Sequence, residues 1–148
     1  MMSITIYQYE QRRIKKLTNK KKIMSTARIL IVDDEPDIAS LMKMILEYDG
    51  SFNNVKTFHD PILALSDFKA DLYDLVILDL TMPGIDGLDL YREMTKKDNK
   101  AKFCFLTGKE SCCEEAIEGY RSLNGDMFIK KPISVRDLLK EVNKRLDM

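Results

Sequence analysis

The sequence predicts an α/β fold, a doubly wound parallel sheet of five strands with helices on both faces. Five short runs of β-branched and aliphatic residues fall at about 28–33, 53–58, 75–79, 102–107 and 126–130. Amphipathic stretches of helical period separate them, and one more follows the last. The middle run, "DLVILDL" at 74–80, is apolar on both alternating faces, as a strand covered on two sides must be. Such alternation argues for parallel strands joined by right-handed crossovers.

Each element has its own local signature. After the first run, Pro36 suits a first helical position, and Ile38, Leu41, Met42, Ile45 and Leu46 follow an apolar helical stripe that Gly50 ends. Asp60-Pro61 opens the second helix with an N-cap acid and a proline, and Ile62, Leu65 and Phe68 are expected inward. The third run leads through the turn-rich "TMPGIDG" into a helix carrying Leu90, Tyr91 and Met94. Ser111-Cys112-Cys113-Glu114 has capping-box form and introduces a helix with Ala116, Ile117 and Tyr120. Ser134 caps the last helix, whose inner face is Val135, Leu138, Leu139, Val142 and Leu146.

A chain of 148 residues is long enough for one domain with a real core and too short for two ordinary ones. With 45% apolar and 32% charged residues it has a globular composition, and no apolar run approaches a membrane span of about 18 residues. Three cysteines and no apolar leader predict a reducing, cytoplasmic setting with free thiols. Net charge is zero but unevenly placed. Residues 1–24 carry Arg12, Arg13, Lys15, Lys16, Lys20, Lys21 and Lys22 against Glu10, a net +6, which leaves −6 on the remainder. We therefore expect a flexible basic extension over 1–25 and one domain over 26–148. The extension could meet nucleic acid, anionic lipid or an acidic partner, or be solvated lysine only; Met24-Ser25-Thr26 also resembles a natural start.

In open parallel sheets, sites form beyond the carboxyl ends of the strands. Here those ends carry Asp33 and Asp34 on the first strand, Asp79 on the third, Thr107 on the fourth, and Lys130, Lys131 and Pro132 after the fifth. Two carboxylates about 4 Å apart repel by roughly 4 kcal/mol at an effective dielectric near 20, so a cation must offset them. A hard divalent ion such as Mg²⁺ suits a few carboxylates together with phosphate oxygens. Asp79 could act as a nucleophile and become an aspartyl phosphate, with a lysine and a hydroxyl on the phosphoryl oxygens. Taken singly, Asp34 or Glu35 could be a helix cap, Asp79 a turn residue, Thr107 a cap and Lys131 a solvated lysine. Their joint occurrence at four strand ends favours the chemical reading.

"ILIVDDEP", "LVILDLTMPGIDG", "FLTG" and "IKKPIS" together resemble the response-regulator receiver domain, the phospho-acceptor module of two-component phosphorelay signalling, over about residues 26–148. The resemblance implies a CheY-like (βα)5 fold of flavodoxin-like strand order 2-1-3-4-5. It implies Mg²⁺ held by Asp33, Asp34, Asp79 and the main-chain carbonyl of Thr81, with Asp34 the more direct ligand of the first pair. Asp79 would be the phosphorylation site, Thr107 the switch hydroxyl, Lys131 the phosphate-binding lysine, Phe128 the aromatic that follows Thr107, and the Lys131–Pro132 peptide cis. A sensor histidine kinase or a histidine phosphotransfer protein would donate the phosphoryl group. The altered face would comprise the fourth helix, fifth strand and fifth helix of the alternating set, and would signal to a downstream protein. The module would assist its own phosphorylation and dephosphorylation rather than turn over a substrate, and with no output domain after residue 148 it is expected to stand alone.

Some positions depart from common family patterns. Gly125-Asp126 stands where many relatives have Gly-Ala, and the resemblance implies that Thr81 and Lys109 occupy variable positions that tune phosphoryl lifetime. His59 reads as a turn residue, Cys104 as a small buried apolar residue, and Cys112-Cys113 lacks metal or redox spacing. "DDEPD" would repel a nucleotide or flavin phosphate. A phosphohydrolase with an aspartyl-phosphate intermediate would want an acid where Thr81 stands. A DNA-binding role could rest on the basic tail alone, and a receiver used solely for binding would not need these acids, hydroxyl and lysine.

Overall fold

The computed structural model describes residues 2–17, 25–108 and 128–146. Its elements are α1 (Met2–Leu17), β1 (Ser25–Val32), α2 (Pro36–Tyr48), β2 (Phe52–Phe58), α3 (Pro61–Asp67), β3 (Leu75–Asp79), α4 (Gly87–Lys97), β4 (Lys102–Thr107), β5 (Phe128–Lys130) and α5 (Val135–Arg145). The capping-box helix expected from Ser111, with Lys109, the two adjacent cysteines and Gly125-Asp126, lies outside the described residues.

The five strands form one parallel sheet in the order β2-β1-β3-β4-β5. Successive side chains of a strand point to opposite faces, so the apolar runs divide between two cores. Ile29, Ile31, Leu75, Ile77, Cys104 and Leu106 face α2 and α5. Leu30, Val32, Val76, Leu78, Phe103 and Phe105 face α3 and α4. All five residues of β3 are buried, which explains its uninterrupted apolar sequence.

Capping follows the sequence closely. Asp60 accepts from the Ile62 and Leu63 amides, Asp86 from Asp89, and Ser134 from Asp137. Two expectations are corrected. Ile62 does not point inward but is 59% exposed, because Pro61, Ala64 and Phe68 form the buried stripe of α3. The stretch expected to be a flexible extension is helical over Met2–Leu17. Its Tyr9 is buried, and the hydroxyl donates to the Met44 carbonyl of α2 at 2.6 Å. The Arg13 guanidinium lies 4.0 Å from the centre of the Tyr48 ring, so part of the basic character is spent on the domain itself.

No described helix is long and apolar enough to cross a membrane.

Candidate functional site

Strand register builds the site. Val32 pairs with Leu78, so Asp33 and Asp79, each one residue further on, leave the sheet side by side. Asp79 pairs with Leu106 and Thr107 with Lys130, which places Thr107 and Lys131 at the same rim. The Lys131 amide donates to the Thr107 carbonyl at 2.7 Å, and the Lys131–Pro132 peptide is cis.

At that rim the Lys131 ammonium reaches back over the acids. It lies 3.0 Å from Asp79 Oδ2, 3.1 Å from Asp33 Oδ2 and 3.4 Å from Glu35 Oε1. Asp33 is fully buried and Asp79 nearly so. Asp33 Oδ1 accepts from the Glu35 amide at 2.9 Å. Its Oδ2 receives no aligned hydrogen bond among the described residues, although the ammonium is close enough to attract it by charge. Asp79 Oδ1 accepts from the Thr81 amide at 3.1 Å.

The electrostatics show a cluster short of cations. Burial, opposed by the Glu35 amide and reinforced by the charge of Asp79, pushes the Asp33 carboxyl up to about 6. Burial and the neighbouring Asp79 also raise Asp34. Burial alone would lower the Lys131 ammonium, but the hydrogen bond to Asp79 and the charges of Asp33 and Asp79 outweigh it and raise it.

Oxygens of Asp33, Asp34, Glu35 and Asp79 lie within 4.8 Å of one another. The carboxylates of Asp33, Asp34 and Asp79, hard oxygen donors with too little positive charge nearby, fit a divalent cation, while Glu35 is the most exposed of the four and is paired with Lys131. Glu35 is the member that the strand-end reading did not assign to the site. Its signal was present in "DDEP", but a residue at that position reads first as a helix cap.

The loop that roofs Asp79 is held by a close approach. A Cβ on Gly87 would stand 2.8 Å from the Asp79 carbonyl oxygen and 2.8 Å from Leu80 Cα. The last glycine of "TMPGIDG" therefore lets α4 begin directly against the end of β3. Across the sheet, the half-buried Phe128 has its ring 5.7 Å from that of Phe105, which contacts Tyr91 at 5.6 Å. His59 is an exposed residue at the turn before α3, and Cys104 is buried in β4.

A parallel sheet with acids, a hydroxyl and a lysine at its carboxyl rim defines a class of phospho-accepting signalling modules. The profile of the response regulator receiver domain matches residues 29–143, and the chain belongs to that family. It is 34% identical over 115 residues to the transcriptional regulatory protein TrcR of Mycobacterium tuberculosis, covering 78% of this chain and 43% of that protein. It is 34% identical over 118 residues to the response regulator SaeR of Staphylococcus aureus, covering 80% and 50%. The chain thus spans about half the length of these curated relatives. A CheY-like receiver domain protein from Methanospirillum hungatei superposes with a TM-score of 0.72 at 29% identity, over 83% of this chain and 95% of that one. The non-phosphorylated HemR receiver domain from Leptospira biflexa gives 0.72 at 28% identity, over 83% and 96%.

Proposed function

We propose that Asp79 accepts a phosphoryl group from the phosphohistidine of a sensor histidine kinase or a histidine phosphotransfer protein. The observation that carries this reading is the Lys131 ammonium 3.0 Å from Asp79 Oδ2, inside a ring of acids. A carboxylate oxygen of Asp79 attacks phosphorus in line, the P–N bond breaks, and the imidazole leaves with its electron pair. Lys131 then moves its hydrogen bond from the carboxylate to a phosphoryl oxygen. The Thr107 hydroxyl, at the end of β4, donates to a second. Asp33 and Asp34, with Asp79 and the main-chain carbonyl of Thr81, would hold Mg²⁺, which when bound neutralises charge on the transferring phosphoryl group.

The product is a dianion beside Thr107. Drawing Thr107 toward it opens space into which the half-buried Phe128 ring turns, and the face around β5 and α5 changes. That face passes the signal to a downstream protein. The test is incubation of wild type and Asp79→Asn with acetyl phosphate and Mg²⁺. An acid-stable, base-labile mass gain of one phosphoryl group is expected for wild type only; an unmodified wild type rejects the reading.

A further inference from the structure

Among the helices described after β1, α2 is capped differently from the rest. Asp60, Asp86 and Ser134 turn their side chains back onto the amides of α3, α4 and α5. Glu35 holds the same position on α2 and makes no side-chain cap. Its carboxylate instead reaches across to Lys131 Nζ at 3.4 Å. An aspartate is one methylene shorter, and a side chain of that length caps the helix it precedes, as Asp60 and Asp86 do. Reach is thus what the glutamate adds.

The contact serves no evident structural need. Lys131 already faces two buried carboxylates, Asp33 and Asp79, while Glu35 is 61% exposed, a setting in which an ion pair stabilises little. It gives the ammonium a third and longer contact, to an exposed carboxylate beside the two buried ones. A phosphoryl group on Asp79 presents three acceptor oxygens and close to two negative charges, and it needs that same ammonium.

We propose that Glu35 is a positioning residue for Lys131, holding the ammonium by this third contact in the resting protein and competing for it with the phosphoryl group on Asp79. The inference rests on the phospho-acceptor reading of Asp79. By stabilising the resting arrangement, Glu35 lowers the affinity of the pocket for a phosphoryl group and so biases the module toward its unphosphorylated state.

Beryllofluoride, which coordinates a carboxylate as a phosphoryl mimic, tests this at equilibrium. The full chain is titrated with it in saturating Mg²⁺, with amide NMR shifts as readout, and Mg²⁺ affinity is measured separately. Glu35→Gln is expected to bind the mimic about three- to fivefold more tightly, the range an exposed pair commands, with Mg²⁺ affinity changed by less than about twofold. Glu35→Asp retains the charge but not the reach, and is expected to match Glu35→Gln. If Glu35→Asp behaves like wild type, simple repulsion accounts for the effect and the proposal falls. A Mg²⁺ affinity about tenfold weaker in Glu35→Gln would make Glu35 a metal ligand and equally overturn it. If wild type and Glu35→Gln bind the mimic alike, this inference alone fails; if wild type binds none, the phospho-acceptor reading fails with it.

Discussion

Lys131 Nζ and Asp79 Oδ2 sit 3.0 Å apart although 52 residues separate them in the chain. Three strands, β3, β4 and β5, must be in register to bring them together. The ammonium is the only cation within ion-pair distance of Asp33 and Asp79 among the described residues. Lys131→Met is therefore expected to destabilise the metal-free protein by about 3 kcal/mol, since it leaves two buried carboxylates uncompensated. It should also raise Mg²⁺ affinity, by about tenfold, because the competing charge is gone. Chemical denaturation with chelator, and calorimetric titration with Mg²⁺, check the two halves. Unchanged or weaker metal binding would mean that the lysine and the ion do not share the pocket.

Asp33→Asn is expected to do the reverse. The fully buried carboxyl is pushed up to about 6, so its ionised form is held in the fold at a loss. Neutralising it should stabilise the metal-free protein by about 1 kcal/mol while weakening Mg²⁺ binding at least tenfold. The amide retains an oxygen to accept from the Glu35 N–H, so the loop keeps that bond. Thermal unfolding with and without Mg²⁺ separates the two effects; a less stable metal-free variant counts against burial as the dominant influence on Asp33.

Asp33 and three acids away from the site together give stability a peak in pH. For Asp33, whose folded value of about 6 lies above the ordinary 3.8, the native state binds protons better than the unfolded chain. Stability of the metal-free protein therefore rises as pH falls through about 6 toward 3.8. Three other acids act in the opposite sense. The Tyr73 hydroxyl holds Asp67 low, the Arg28 guanidinium holds Asp74 low, and the Lys100 amide holds Asp98 low. Their stabilisation is present above the ordinary 3.8 and is lost as pH falls below it. Urea midpoints in chelator should pass through a maximum between pH 4 and pH 6, roughly, and Mg²⁺ should move it upward by favouring the ionised cluster. A midpoint that only rises from pH 4 to pH 8 would contradict the raised Asp33.

Two glycines of "TMPGIDG" separate space from conformation. Gly87 has a negative φ but no room for a Cβ against Asp79 and Leu80, whereas Gly84 has φ of 92° and nothing within 4 Å of a Cβ. Gly84→Ala is expected to cost about 1 kcal/mol from backbone strain alone. Gly87→Ala must displace backbone beside Asp79, so about 3 kcal/mol and a clear loss of Mg²⁺ affinity are expected. Equal effects of the two substitutions on metal binding would show that the approach at Gly87 does not position the site.

How far the sequence discloses all this depends on what each signal rests upon. The strands and the rim were legible because four of the five strand runs lead straight into acids, a hydroxyl or lysines, and the end of a strand needs no tertiary information to locate it. Asp33, Asp79 and Thr107 follow from that rule; it leaves Lys130 and Lys131 both open, and the family resemblance selects Lys131. Glu35 escaped it because its helix-cap position has an ordinary explanation, and only three-dimensional reach shows that it does otherwise. Ile62 was assigned inward from hydrophobicity, but the short α3 has one buried stripe, and Pro61, Ala64 and Phe68 occupy it. α1 was hidden by its charge. The 3- and 4-residue spacing of Ile6, Tyr9 and Arg13 was the available signal, and seven cations in 24 residues obscured it.

α1 also supplies a last test, since its helicity depends on docking. An isolated helix of 16 residues is marginal in water, and this one has no acidic residue in its first turn to offset the helix dipole. Tyr9 is its anchor, with a buried ring worth about 2 kcal/mol and a hydroxyl donating to the Met44 carbonyl worth about 1 more. Burial and the charge of Asp49 raise the phenol, so it stays a neutral donor through the physiological range. Tyr9→Ala should therefore release α1 and expose its amides to hydrogen exchange, while Tyr9→Phe should loosen it only in part. Neither should alter Mg²⁺ affinity, because Tyr9 packs against α2 by its Met44 carbonyl and not by the acidic loop that precedes Pro36. Protection of the 2–17 amides that survives Tyr9→Ala would show that other contacts hold the helix, and a coupled loss of Mg²⁺ binding would show that α1 reaches the site through α2.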